Sequence, residues 1–155
     1  MTHLTRFSFG TTSAIVTSLA FVVGLSGSSK AAIVVSLLVF AVADNVSDSL
    51  GLHIFQESEL KQPGVISVST FSNFFTRLSL VLVFVLLVAL LPIGIAVVVS
   101  LVYGISLLSL LSYLIAKERK SSPYSSIFAH IAIAVLVIIV SYVLRVWITG
   151  FFTKL

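Results

Sequence analysis

From Leu78 to Ala116 the chain carries no charged residue, and only the Pro92-Ile93-Gly94 turn interrupts its apolar run. A helix needs roughly 20 apolar residues to cross about 30 Å of hydrocarbon, so this stretch holds two crossings joined by an abrupt hairpin. Comparable runs lie at 7–25, 31–53 and 126–148. The expected fold class is therefore all-α: one five-helix transmembrane domain over 1–155, with spans at about 7–25, 31–53, 77–91, 94–116 and 126–148. Only 9% of the residues are charged, too few to solvate an ordinary globular surface. The primary partner is thus a lipid bilayer, either the cell membrane or an organelle membrane.

The run after Arg6 has the position of a signal peptide, but it is laced with glycine and threonine and precedes further spans, so it is read as a helix. Ser26-Gly27-Ser28-Ser29-Lys30 reads as a tight polar turn and Pro63-Gly64 as a helix stop. The segment 65–76, where Ser, Thr and Asn alternate with Phe and Val, reads as an interfacial connector. Lys117 to Pro123 forms a short basic loop.

The net charge of +4 does not point to nucleic acid, because the basic residues gather at span ends, where they set topology. One side receives Arg6, Lys61, Arg77, Lys117, Arg119 and Lys120; the other receives Lys30, Arg145 and Lys154. The positive-inside rule then puts the amino terminus in the cytoplasm and the carboxyl terminus outside. There is no cysteine, which excludes disulfides, thiolate metal sites and thiol catalysis.

The second span carries the chemistry. The apolar run 31–41 continues without a break into Val42-Ala43-Asp44-Asn45-Val46-Ser47-Asp48-Ser49-Leu50-Gly51-Leu52-His53. Carboxylates at such depth are costly and are retained where they face a partner, a cavity or an ion. Asp44 and Asp48, four residues apart, share one helical face; Asn45 and Ser49 lie beside them, and His53 continues that side. Glu57 and Glu59 then carry acids outward past the membrane. Hard oxygen donors with one imidazole suit Mn, Fe(II), Mg or Ca. The candidate metal ligands are therefore Asp44, Asp48, Asn45, His53, Glu57 and Glu59. Ser47, together with Thr12 and Ser13 of the first span, would line a translocation path if the first two helices pack face to face. Two carboxylates this close repel unless a cation or a shared proton lies between them.

These motifs resemble the vacuolar iron transporter family. The first span opens Phe9-Gly10, Ala43-Asp44-Asn45-Val46-Ser47 lies over the family's second-span Gly-Glu-Tyr-Val-Ser, and Leu90-Leu91-Pro92 and Ser141-Tyr142-Val143-Leu144 are similar to family positions. The resemblance implies five spans, a homodimer, and export of Fe(II) or Mn(II) from the cytoplasm; the coupled Asp44 and Asp48 carboxylates would also suit exchange of the metal for protons. The divalent ion would be a substrate, with no tightly bound cofactor. The chain departs from the pattern where Thr12-Ser13-Ala14 replaces Asn-Asp-Gly, where Phe40 replaces a methionine, and where a short connector replaces a Glu-rich insert.

The leading expectation is a transporter of divalent cations. The alternative is a non-transporting membrane protein that uses the same scaffold for interaction or assembly. An enzyme is not expected, for the chain has no Gly-x-Ser-x-Gly elbow, no His-Glu-x-x-His and no phosphate-binding loop.

Overall fold

The computed structural model describes residues 3–59 and 61–153, with side chains from Gly10 onward. It contains five helices: α1 (His3–Gly24), α2 (Lys30–Ser58), α3 (Pro63–Leu90), α4 (Ile93–Glu118) and α5 (Pro123–Phe152). No strand occurs among the described residues. Four of them, α2 to α5, are long and apolar enough to cross a membrane, and the described apolar part of α1 is the shorter Gly10–Gly24. Their outward faces are apolar, as in Val35, Val39, Leu86, Val98 and Val102, which suits lipid contact rather than water.

Each helix starts and stops for a local reason. Ser29 caps α2, its hydroxyl accepting from the Ala32 amide at 3.2 Å. Proline begins α3 and α5 at the first turn, where its missing N–H is no loss. At the end of α4, the Ser121 amide donates to Ala116 O (3.0 Å) and the Lys120 amide to Lys117 O (3.3 Å), with Lys120 at φ 52°. That is a Schellman motif, and here a lysine takes the left-handed position that glycine usually fills.

One expectation fails at α3. The segment 65–76 is helical, so α3 begins at Pro63 rather than near residue 77, and Pro63-Gly64, expected as a helix stop, instead opens this helix, α2 having already ended at Ser58. The hydroxyls that suggest a connector are satisfied inside the helix. Ser67 donates to Pro63 O (3.1 Å), Thr70 to Ile66 O (2.9 Å) and Ser69 to Ile66 O (3.0 Å). Such back-bonding removes the polar penalty of the hydroxyl without solvent.

α1 packs against each of the other four helices, and α2 and α3 form the most extensive pair. The apolar core joins Ile15, Leu19 and Val22 of α1 to Leu37 of α2, Phe84 of α3 and Leu108 of α4. α4 buries a row of mostly small residues at four-residue spacing: Ala96, Ser100, Gly104, Leu108, Ser112 and Ala116. Small rows let helix backbones approach closely in lipid. At Gly104 a Cβ would meet three Leu19 side-chain atoms at 2.8–2.9 Å, so Leu19 seats directly on the α4 backbone.

Polarity is distributed unevenly along the α2–α3 pair. Toward its free ends the buried row is apolar: Ile33, Leu37 and Ala41 on α2, and Val81, Phe84 and Val88 on α3. Toward the connecting turn it becomes Asn45, Ser49 and Gln56 on α2, and Arg77, Asn73 and Ser69 on α3. Half of the hairpin interface is thus an ordinary membrane core. The other half is a polar seam.

Candidate functional site

The seam is organised by Arg77, whose side chain is fully buried, at 0% exposure. Its Nη2 donates to Asp44 Oδ2, its Nη1 to Asp48 Oδ2, and its Nε to Asn45 Oδ1 at 2.8 Å. The i, i+4 spacing of the two aspartates matches the fork of a guanidinium, so one α3 side chain takes three acceptors from α2. The aspartate side chains remain 34% and 29% exposed, so the carboxylates sit at the edge of the bundle while the cation is enclosed. Two negative charges against one positive leave the cluster at net −1 when the acids are ionised.

Arg77 is the residue that sequence reasoning misplaced. Its position near a span end reads as a topology-setting cation, but it lies within α3 and faces the acids. The signal that finds it is hairpin register. Residue pairs across the seam are Asn45–Arg77, His53–Thr70 and Gln56–Ser69, all roughly equidistant from the turn after Glu59.

α1 reaches this cluster at Gly10. A Cβ there would overlap Asn73 Oδ1 and lie 2.9 Å from Arg77 Cδ, so only a glycine lets α1 lie across the Arg77 stem. Thr12 and Ser13 are half-buried on the next turn. The face-to-face pairing of the first two helices on which a Thr12–Ser13 path depends is not the main contact; α2 lies chiefly against α3, with α1 packed more on α3 than on α2.

The remaining candidates separate. His53 is half-buried and its Nδ1 lies 3.4 Å from Thr70 Oγ1, further along the seam toward the turn. Gln56, buried beside it, accepts from Ser69 Oγ. Ser47 is exposed on the outer face of α2. Glu57 is exposed, and Glu59 pairs with Lys61 at 2.6 Å beyond the end of α2. Glu57 stands nine residues past Asp48, about 14 Å along the helix, so the acids form a sequence of stations rather than one ligand shell. Among the described residues no three Asp, Glu, His or Cys side chains converge as a metal-binding group.

Two buried polar atoms adjoining the cluster, Asn45 Nδ2 and Ser49 Oγ, make no hydrogen bond within the described protein. An unmet group of this kind costs about 1–3 kcal/mol in a buried setting. Phe40, by contrast, packs on Phe21 with ring centroids 5.2 Å apart, so that position contributes packing and no ligand. His130 on α5 shares a 2.8 Å hydrogen bond with Ser112 Oγ of α4, a link between helices far from the seam in sequence.

No protein-family model, curated protein or solved structure matches this chain.

Proposed function

We propose that the protein moves a divalent cation, Fe(II) or Mn(II), across its membrane along the α2–α3 seam. The observation that carries this reading is the pair Asp44 and Asp48, part-exposed carboxylates held one turn apart on a membrane helix around an excess negative charge. Acids within membrane helices commonly mark ion or proton paths, and with both aspartates ionised this cluster holds a net −1 that a cation or proton would balance. The unmet Asn45 amide and Ser49 hydroxyl lie beside the pair, with polar capacity for hydration or ligation. Hard oxygens favour Mn(II) and Fe(II) over soft metals. The resemblance of Ala43–Ser47 to the vacuolar iron transporter second span points the same way.

In this reading α1 also spans, giving five crossings with the amino terminus in the cytoplasm. The α2–α3 turn with Lys61 and the α4–α5 loop with Lys117, Arg119 and Lys120 then face the cytoplasm. A cation entering there meets Glu57 first, passes His53 and arrives at Asp48 and Asp44. Arg77 works as a tethered cation. It neutralises much of the acid pair while no ion is bound, and an arriving divalent ion, with twice its charge, competes for the same oxygens. Ion passage is thereby tied to movement of the Arg77 side chain, and a proton on either aspartate would return the cluster toward neutrality.

A second reading has its own support. Arg77 gives both acids a partner without any ion, and a buried guanidinium clamped by three groups locks α2 to α3. On that reading the protein is a membrane scaffold for interaction or assembly. Equilibrium Mn(II) binding to detergent-purified protein separates the two. The comparison is wild type against Asp44→Asn/Asp48→Asn/Arg77→Gln, which keeps hydrogen-bonding shape while removing every charge of the cluster. Saturable binding present in wild type and reduced at least tenfold in the triple variant is the expected result. Equal or absent binding in both would leave the scaffold reading.

A further inference from the structure

We propose that the groove between α1 and α5, at the end of the bundle opposite the α2–α3 turn, is a binding site for one anionic phospholipid. Its phosphate would be held by Arg145 and one acyl chain would lie along the groove. The walls are Phe21 of α1, Leu25 of the turn that follows it, and Leu144 and Ile148 of α5, with Arg145 and Ser28 at its polar rim. The Arg145 Nη1 donates to Ser26 Oγ at 2.6 Å, and the guanidinium lies 4.9 Å from the Tyr142 ring centroid. Those contacts aim the side chain at the groove mouth but use only part of a five-donor group.

The charge pattern identifies the occupant. The five acids of the chain all lie away from the Arg145 end: Asp44 at the midpoint of α2, Asp48 and Glu57 further along it, Glu59 just past its end, and Glu118 at the far end of α4. The nearest in sequence to the Arg145 end is Asp44, fourteen residues along α2 from Lys30, or about 21 Å. Among the described residues Arg145 forms no ion pair, and Lys30 adds a second positive charge at the same end. Arg145 is also not at the tip of its helix. α5 continues to Phe152 with Trp147, Phe151 and Phe152 all more than half exposed, so apolar lipid-facing surface extends about 10 Å along the helix beyond the Arg145 backbone. Aromatic side chains of this kind mark the membrane interface, which puts Arg145 at or just inside the level of the headgroup phosphates. A guanidinium there is costly unless paired, and its planar fork matches a phosphate. The apolar wall immediately below it fits an acyl chain and gives a free phosphate ion nothing to bind.

The test is native mass spectrometry of the protein released from nanodiscs of equimolar phosphatidylcholine and phosphatidylglycerol. The expected result is a retained phosphatidylglycerol adduct at least threefold over phosphatidylcholine on the monomer mass. Arg145→Gln should bring that ratio to one. Leu144→Trp, which fills the groove and leaves the charge, should lower total lipid retention. Millimolar inorganic phosphate should displace nothing. Equal retention of the two lipids, a preference that survives Arg145→Gln, displacement by phosphate alone, or a lipid-free dimer closing the groove would each overturn the proposal.

Discussion

Arg77→Gln is expected to destabilise the folded bundle by about 3–5 kcal/mol, the usual penalty for removing one partner of a buried charge cluster. The guanidinium is fully enclosed and serves Asp44, Asp48 and Asn45 at once, so its loss strands two carboxylates one turn apart with no counter-charge. Because those carboxylates are about a third exposed (34% and 29%), hydration relieves part of the loss, and the lower end of the range is the better expectation. Reversible unfolding in mixed micelles, followed by circular dichroism against SDS mole fraction, reads the change. Adding Asp44→Asn and Asp48→Asn to Arg77→Gln should restore most of the stability, because the neutral cluster has no stranded charge. A loss under about 1 kcal/mol for Arg77→Gln alone, or no recovery in the triple variant, would mean that the clamp does not hold the hairpin.

Gly10→Leu should be nearly as damaging. Overpacking a tight helix contact typically costs about 1–3 kcal/mol, and this substitution belongs at or above the top of that range. Even the first carbon of a side chain would overlap Asn73 Oδ1 and press on Arg77 Cδ at 2.9 Å. Arg77 has little room to yield, since all three of its acceptors are on α2. The damage should therefore extend beyond packing: α1 is pushed off α3 and the guanidinium is shifted against the acids. Stability against unfolding and Mn(II) affinity should fall together in Gly10→Leu. A variant that loses stability while binding Mn(II) like wild type would show that α1 packs on the seam without governing it.

Much of the fold is legible in the amino-acid sequence, and the reason is physical. Lipid leaves a chain few options, so apolar length predicts α2, α4 and α5 to within a few residues at most ends, and Pro92 places the α3–α4 turn. The boundary of α3 is obscured because serine and threonine look like loop residues in sequence yet satisfy themselves on the preceding helical turn, as Ser67 and Thr70 do. That error carries a cost at the site. With 65–76 read as a connector, Arg77 falls at a membrane boundary; with α3 starting at Pro63, it falls about four helical turns inward, opposite Asn45. The acids themselves stand out because carboxylates are rare in such surroundings. Their partner does not, because an arginine near a span end has a common alternative role in topology. Gly10 is likewise visible only as a small residue until α3 is brought against it.

Flux in proteoliposomes tests the central claim most directly. Wild-type protein and the charge-neutral Asp44→Asn/Asp48→Asn/Arg77→Gln variant would be reconstituted at matched density, with an Mn(II)-quenched dye inside and the metal added outside. The account predicts saturable Mn(II) entry for wild type and entry at the rate of protein-free vesicles for the triple variant, with both proteins equally helical. Wild-type entry no faster than protein-free vesicles, or equal entry with both proteins, would contradict it.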